Sequence, residues 1–503
     1  MKIKDILEKI EVTSYSVPDE LYRRTILSLC HDSSQACPTC AFFCKRGAVT
    51  DGHIYAYQAY LNGARIFIAE REIKVPNDAA VIITPNSSSA LAKLAVDFYG
   101  DPEKNLRLVG ITGTKGKTTI AVALYNIATS CGINAGYIGT NGIYYGGEKY
   151  ETANTTPDVV QLQHTLSNML DHGITTVFIE VSSQALWQSR IYGLNFDICI
   201  FTNLYTDHIG GVEHPTFEHY RDCKKLLFTD YCTNQIIVNA DSDHCEYMLE
   251  GITDRSIVKV SARGNKDCDF YAQRSMMMKR GIVPGISFEC VSGSNTQKRD
   301  IFIPMPGIYN VENALLIIAT CRSLGIEMVE IARQLHSLKV DGRFEVVPLD
   351  SRPNSLFVID YAHNGASLFA VLKSLREYNP RRIICLFGSV GGRTYGRRRE
   401  LGEVARDYAD VLIITADNPN REDPMLIINE INAAVGHTDK PVYLFPDRKD
   451  AINKAVEIAE DGDYVLLAGK GHETYQLIDG IRTEFSERKI LQLANVIYSE
   501  ELT

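Results

Sequence analysis

The stretch GITGTKGKTT, residues 110–119, constrains the fold of this chain more than any other. An apolar run, LRLVG, leads into it and a helical pattern, IAVALYNIA, follows it. Strand, glycine loop and helix in that order make a phosphate-binding loop. The glycines let backbone N–H groups approach phosphate oxygens, and the helix N-terminus adds a favourable dipole. The spacing is not the usual G-x-x-x-x-G-K-[ST], because position 111 is isoleucine and the glycines stand at 110, 113 and 116. Gly113, Thr114, Lys115, Gly116, Lys117, Thr118 and Thr119 are therefore the candidate ATP contacts. Lys117 is expected to reach the terminal phosphates and the Thr118 hydroxyl to ligate Mg²⁺. A glycine-rich turn with a chance lysine is the bland alternative.

At 503 residues the chain has room for about three domains of roughly 150 residues each. It is 45% hydrophobic and 23% charged, a balance that suits large buried cores. A net charge of −10 weighs against a sequence-independent nucleic-acid binder, which needs a basic face. The opening MKIKDILEKIEV is charged and amphipathic, unlike a signal peptide. No apolar run reaches the ~18 residues of a membrane span. The expected address is the cytoplasm, and the 13 cysteines are expected to be reduced there. Four of them cluster: Cys30, Cys37, Cys40 and Cys44. Cys37 and Cys40 form a C-x2-C pair that suits half a zinc site or a redox pair, but the second pair of a common zinc site is missing. Small buried residues around the strand CAFFC are the favoured reading.

Short strand and helix patterns such as ARIFIAE and DAAVIITP fill residues 1–106. Over 107–340, the apolar strands RLVGI, TTVFIEV, FDICIFT and QIIVNA alternate with helical stretches, which predicts an α/β domain with a mostly parallel sheet. Over 341–503 a second alternation, LFVIDYA, RIICLFG, DVLIITA, PVYLFP and DYVLLAG, predicts a Rossmann-like, doubly wound domain. The polar stretches SARGNKDCD and CVSGSNTQKRD are expected to be hairpin loops.

Two strands after the phosphate loop end in ligands for a hard cation. Glu180 closes TTVFIEV, and Asp207 and His208 follow FDICIFT. Sites in α/β sheets form at the carboxyl ends of strands, so Glu180 and His208 are read as metal ligands, against the alternative of an ordinary strand-end charge. In TFEHYRDCKKLLFTDY, Phe217, Tyr220, Leu227 and Phe228 mark one helix face, and Lys224 fills its missing member. A lysine there is paired, modified or snorkelling.

Beyond these, GTKGKTT, EVSSQALWQSR, FTNLYTDH, YRDCKKLLF, GIYNVENAL, DGRFE, DYAHN, FGSVGGRTYGRRRELGE, DNPNREDP and GKGHE occur in this order. Together they resemble the Mur ligase family, and within it the MurE branch, over nearly the whole chain. The segment from DSSQACPTC to ARIFIAE is similar to the family's uridine-binding domain. The short phosphate loop is the one this family carries.

The resemblance implies three α/β domains: uridine-binding over 1–106, ATP-binding over 107–340 and amino-acid-binding over 341–503. It implies a cytoplasmic amide ligase, expected to act as a monomer, that adds a diamino acid to the D-glutamate of UDP-N-acetylmuramoyl-L-alanyl-D-glutamate through an acyl phosphate, using ATP and Mg²⁺. Lys117, Glu180, His208 and Lys224 match the catalytic and Thr118, Glu180, His208 and Lys224 the metal-holding positions, Lys224 being the lysine the family carries as a carbamate. Asn310, Asn313, Arg343, Asp360 and His363 match ATP contacts. Ser33, Asn154, Thr155, Thr156, Ser182, Gln188 and Arg190 match contacts to the UDP-sugar dipeptide. Arg393, Asp417, Asn418, Pro419, Asn420, Gly469 and Glu473 match the pocket for the incoming amino acid.

Two departures bear on chemistry. Gln184 stands where the family usually has histidine, and glutamine cannot carry a proton. DNPN has Asn420 where diaminopimelate-adding members usually have arginine, with Arg421 one position late. L-lysine is therefore favoured over meso-diaminopimelate. The rivals are another amide ligase of the superfamily, such as a folylpolyglutamate synthetase, and a catalytically silent binding protein on the same fold.

Overall fold

The computed structural model describes every residue except 48–49, 207–208, 211–212, 294–296, 393–394 and 501–503. The chain forms two compact units, with the border between Val258 and Lys259.

The first unit contains two sheets. In the N-terminal one the strand order is Ser14–Ser16, Ala80–Ile83, Ile66–Ala69, Cys40–Phe43, Ser28–Cys30, parallel except for the first. Cys40–Phe43 and Ile66–Ala69 are buried at every position, as expected for parallel strands covered on both faces. Phe43, Ile66 and Ile68 pack against Ile3, Ile6, Leu91 and Leu94 on one side. Phe42 and Phe67 pack with Ala56 and Ala59 on the other, together with Cys30, Cys40 and Cys44. The clustered cysteines thus lie in or against an apolar core.

The second sheet of this unit runs Cys232–Asn239, Phe196–Phe201, Arg107–Thr112, Thr176–Glu180, Ala135–Gly139, all parallel. The strands Gly142–Tyr145 and Glu148–Tyr150 extend its edge antiparallel. Arg107–Thr112 has a parallel neighbour on each side, with Ile111 opposite Glu180 and Thr112 opposite Phe201. That register brings the phosphate loop and Glu180 to the same end of the sheet.

In the second unit Phe270–Arg280, Val283–Ser292 and Gln297–Ile303 form an antiparallel meander. CVSGSNTQKRD is therefore a hairpin connection, with 294–296 outside the described residues. SARGNKDCD is not: Val260 and Ser261 pair parallel to Phe270 and Tyr271, so the polar segment carries the chain back to the start of its neighbour. A six-stranded sheet follows, in the order Glu345–Val346, Leu356–Asp360, Tyr464–Ala468, Ile383–Phe387, Val411–Thr415, Val442–Phe445, parallel except for the first. Helices Arg448–Ile458 and Glu487–Glu500 pack on this sheet, with Ile452, Val456, Ile490 and Leu491 in the same core as Ile359, Ile413 and Val465. No helix among the described residues is long and apolar enough to cross a membrane.

Arg448 joins the ends of two of these strands. It is fully buried and donates to Glu487 Oε1 (2.9 Å), to Ala416 O (3.2 Å) and to Ala468 O (2.8 Å). Burial pushes the Glu487 carboxyl up, and the Arg448 charge opposes that shift. Removing one member of such a pair leaves the other charge buried alone, at a cost of about 3–5 kcal/mol. Arg448→Ala should therefore lower the thermal midpoint of the chain markedly, followed by circular dichroism, while Arg448→Met with Glu487→Leu recovers most of the loss. An unchanged midpoint in the alanine variant would show that the pair does not hold the strand ends.

Candidate active site

The phosphate loop leaves the sheet after Thr112 and enters the helix Lys117–Ser130 at Gly116, whose φ of 89° is left-handed. Gly113 has φ 147°, and a Cβ there would collide with Thr202 Oγ1. The loop is held by its neighbours. Thr114 N donates to Asn203 O and Lys115 N to Asn203 Oδ1, each at 2.9 Å, while Thr202 Oγ1 donates to Lys115 O at 2.7 Å. Lys117 Nζ curls back to Gly113 O (2.8 Å) and Thr114 O (3.2 Å), within the loop that would surround a phosphate.

Glu180 is fully buried at the end of its strand. Its carboxylate accepts from Thr118 Oγ1 (2.9 Å), Tyr137 OH (2.6 Å), Thr140 N (2.9 Å) and Thr140 Oγ1 (3.2 Å). Burial and the Glu180 charge hold the Tyr137 hydroxyl well above its ordinary pKa, so it remains a donor. The Thr118 hydroxyl and the Glu180 carboxylate are hard oxygen donors, the chemistry Mg²⁺ takes. Lys224 is 1% exposed, which excludes snorkelling. Its Nζ donates to Gly113 O at 3.0 Å and lies 4.7 Å from the centroid of the Tyr220 ring. His208 lies outside the described residues.

Several residues matched to the sugar dipeptide gather at the same end. Thr155 Oγ1 is 3.0 Å from Thr140 Oγ1. Thr156 Oγ1 donates to Glu180 O (2.7 Å) and accepts from Ser182 N (3.0 Å). Ser182 caps the short helix Ser183–Trp187, which carries the half-buried Gln184. Arg190 donates to Thr156 O and grips Gln188 Oε1 with two nitrogens. Asn154 is exposed on the loop just before Thr155. Ser33 stands in the N-terminal sheet's loop, its carbonyl accepting from Asn62 Nδ2. Sequence reasoning missed Tyr137 and Thr140, and also Lys45, whose ammonium is pulled below its ordinary pKa chiefly by burial while Asp158 pulls it back.

In the second unit, Asn310 and Asn313 are buried on one face of the helix Ile308–Ser323 and bonded to each other (3.2 Å). Arg343 stacks on Tyr361, 4.5 Å from its centroid, and Asp360 accepts from Phe344 N (2.7 Å). Burial raises the Asp360 carboxyl, with the Arg343 charge acting against it. His363 Nδ1 lies 2.9 Å from Tyr361 O. The segments DGRFE, DYAHN and GKGHE thus meet around Tyr361.

The candidate amino-acid pocket is built on Lys470, which sequence reasoning also missed. Lys470 is fully buried and donates to Asn418 Oδ1 (3.0 Å) and Glu473 Oε2 (2.9 Å), with Asp417 Oδ1 at 3.7 Å. Asn418 Nδ2 donates to Glu473 Oε2 (2.9 Å). Among the described residues, buried Asp417 Oδ1 receives no hydrogen bond. Gly469 faces Asp417, and the buried Pro419 leads into Asn420, which has φ 55° and is fixed through its backbone to Leu477 and Asp479. Arg421 is exposed beside Gly480. Arg393 lies outside the described residues.

The chain matches three family models: Mur ligase family, catalytic domain, over 25–99; Mur ligase middle domain over 111–321; and Mur ligase, glutamate ligase domain, over 342–471. It is 36% identical over 477 residues to a UDP-N-acetylmuramoyl-L-alanyl-D-glutamate--2,6-diaminopimelate ligase of Geobacillus thermodenitrificans (strain NG80-2), covering 93% of this chain and 94% of the relative. The chain belongs to the Mur ligase family. A second relative of the same name, from Clostridium botulinum (strain ATCC 19397 / Type A), is 34% identical over 98% of this chain and 99% of its own. A solved structure described as the same kind of ligase superposes with a TM-score of 0.66 at 27% identity, covering 99% of both chains. These relatives fix the MurE branch, and the protein is an ATP-dependent amide ligase of the Mur type.

Gly113 generates the direct test of the phosphate loop. Gly113→Ala puts a methyl group against Thr202 in a backbone conformation that alanine avoids. The variant should keep its far-ultraviolet spectrum and lose ADP binding by calorimetry at least about tenfold, the effect of roughly 1.4 kcal/mol of lost binding. Binding at the wild-type level would remove the loop from the nucleotide site.

Proposed function

We propose that this ligase joins a diamino acid to the γ-carboxylate of the D-glutamate in UDP-N-acetylmuramoyl-L-alanyl-D-glutamate, in cytoplasmic peptidoglycan precursor synthesis. The observation that carries the reading is the buried Thr118–Glu180 pair below the phosphate loop, in a chain similar along nearly its whole length to ligases named for that dipeptide. In this reading the protein works as a monomer, with functional domains over 1–106, 107–340 and 341–503.

The γ-carboxylate oxygen attacks the γ-phosphorus of ATP, and ADP leaves with the bond's electrons. The free amine of the incoming amino acid attacks the acyl carbon, loses a proton, and the tetrahedral adduct expels phosphate as the amide forms. A carboxylate resists direct attack by an amine, and phosphorylation supplies the leaving group. Thr118, Glu180, His208 and a carbamate on Lys224 would hold Mg²⁺, which neutralises phosphate charge when bound. Lys117 meets the terminal phosphates, and Thr155, Thr156, Ser182, Gln188 and Arg190 orient the dipeptide, with Ser33 and Asn154 on the nucleotide sugar. Asn310, Asn313, Arg343, Asp360 and His363 serve ATP. Asp417, Asn418, Pro419, Gly469, Glu473 and Arg393 hold the amino acid, and Asp417 Oδ1, which accepts no hydrogen bond among the described residues and has Lys470 Nζ at 3.7 Å, is a ready acceptor for an ammonium group.

Burial of Lys224 on this helix face and its match to the family's modified lysine support the carbamate: CO₂ joined to the Nζ amine would convert a buried cation into an anionic ligand. Lys224→Ala should cut turnover by about 10²-fold or more, and added short carboxylates should restore part of it. Lys225→Ala, which removes a surface ion pair with Glu250, should leave turnover near wild type. Full activity of Lys224→Ala would defeat the assignment.

For the amino acid, the neutral Asn420 favours L-lysine. The names of the relatives favour the second reading, 2,6-diaminopimelate. Diaminopimelate carries a second carboxylate, and an arginine partner for it is worth roughly 1.5–3 kcal/mol, about tenfold to a hundredfold in selectivity. Asn420→Arg should shift the ratio of kcat/KM values towards diaminopimelate by that factor. If wild-type protein prefers diaminopimelate and Arg421→Ala removes the preference, the neighbouring arginine has taken the role and the lysine reading is wrong.

A further inference from the structure

Three side chains that the ligase chemistry leaves unused meet on the helix Phe217–Thr229. His219 and Cys223 lie one turn apart and share a face. His214 joins them from the segment before the helix, with Nδ1 at 2.8 Å from His219 Nδ1. Cys223 Sγ is 3.8 Å from Nδ1 and 3.9 Å from Nε2 of His219. The three ligand atoms all fall within 4.8 Å of one another. Zinc takes imidazole nitrogen at about 2.0–2.1 Å and thiolate sulfur at about 2.3 Å, so tetrahedral ligands stand on the order of 3.3–3.6 Å apart. To reach that spacing the histidine nitrogens need to part by about half an ångström and the sulfur to close on His219 by a few tenths, with the His214–Cys223 separation brought in from within 4.8 Å.

The far side of His214 supplies a second, independent observation. Its Nε2 lies 2.8 Å from Ser183 Oγ. With Nε2 protonated and donating to Ser183, Nδ1 presents its lone pair towards His219 and Cys223, which is how metal-bound histidines are commonly held. Trp187 and Tyr220 lie 5.6 and 5.3 Å from the His214 ring and give the site an apolar wall.

We propose that His214, His219 and Cys223 form a site for one zinc ion, separate from the oxygen-lined site at Thr118 and Glu180. Two imidazoles and a thiolate suit a borderline-soft ion, whereas oxygen donors suit Mg²⁺. Binding releases one proton, from the Cys223 thiol, while the hydrogen between the two rings moves to His219 Nε2, so that both imidazoles bind neutral. The bound ion clasps the segment around His214 to the helix that carries Lys224. Three protein ligands leave a fourth position for water or another small ligand.

The test uses the full chain, stripped with chelator and titrated with Zn²⁺ or Co²⁺ against a competing chelator. One ion per chain, a thiolate-to-cobalt absorption band and a thermal midpoint that rises with Zn²⁺ are expected. Cys223→Ala should abolish the band and the thermal shift while keeping the far-ultraviolet spectrum. Should that variant fold poorly, His219→Ala should give the same loss of the ion. Ser183→Ala should weaken affinity about 10- to 100-fold. A Cys37→Ser, Cys40→Ser double variant should bind as wild type. The proposal falls if no stoichiometric ion binds, if binding survives in both Cys223→Ala and His219→Ala, or if it vanishes with Cys37 and Cys40.

Discussion

Glu180 carries a carboxylate with no solvent exposure at the end of a strand paired on both sides. An unpaired charge in that position costs several kcal/mol, so the surrounding chain has to supply donors. Thr118 comes from the first turn of the phosphate-loop helix, Tyr137 from the neighbouring strand and Thr140 from the turn after that strand. Each donor fixes the position of its own element against Glu180. The sheet end, the loop and the helix are thereby locked before any ligand arrives, which is the preorganisation that phosphoryl chemistry demands.

A second constraint sits on the other side of the loop. Lys117 and Lys224 both donate to the carbonyl of Gly113. Two ammonium groups sharing one neutral acceptor repel each other, and burial of Lys224 limits relief by water. A polyanion at the loop or a change of charge on one lysine would ease that repulsion. ATP supplies the first. The proposed carbamate on Lys224 would supply the second and would add an anionic oxygen ligand beside Thr118 and Glu180. The same reasoning explains why Gly113 is glycine: the carbonyl reaches both lysines because the backbone takes a conformation and a closeness to Thr202 that no side chain permits.

The strands were legible in the sequence because buried parallel strands are apolar runs with charged or glycine-rich ends, and RLVGI, TTVFIEV and DYVLLAG have that form. The helix face containing Lys224 was legible for a similar reason, since one cation interrupts an apolar stripe. The donors to Glu180 were not. Tyr137 sits in a strand where an aromatic residue reads as core, and only the register of Ala135–Gly139 against Thr176–Glu180 turns its hydroxyl to the carboxylate. Lys470 was hidden among glycines, where a lysine reads as a loop charge rather than the buried centre of a pocket. The parallel pairing of Val260 with Phe270 was hidden as well, because a polar spacer gives no sign of whether the chain folds back or crosses over. His214, His219 and Cys223 left the signal H-x4-H-x3-C, which gains meaning once a helix puts its last two members on one face.

The second unit handles charge differently from the first. Asp417 and Glu473 bring two negative charges to Lys470, which brings one positive charge. The cluster is one cation short, and the unbonded Asp417 Oδ1 is where the deficit falls. In the proposed pocket an amino acid's ammonium group would fit that deficit, for lysine and diaminopimelate alike. Discrimination therefore has to come from a part of the pocket that meets the group in which they differ. In the proposed pocket Asn420 would bring an amide there in place of a guanidinium, and its backbone is held in a left-handed conformation. Arg421 is exposed, so any pairing it made would compete with water and be worth about 0.2–1 kcal/mol. On the proposed lysine reading, a neutral amide would tolerate the methylene and ammonium end of lysine, whereas the extra carboxylate of diaminopimelate would lose hydration without gaining a charged partner at that position.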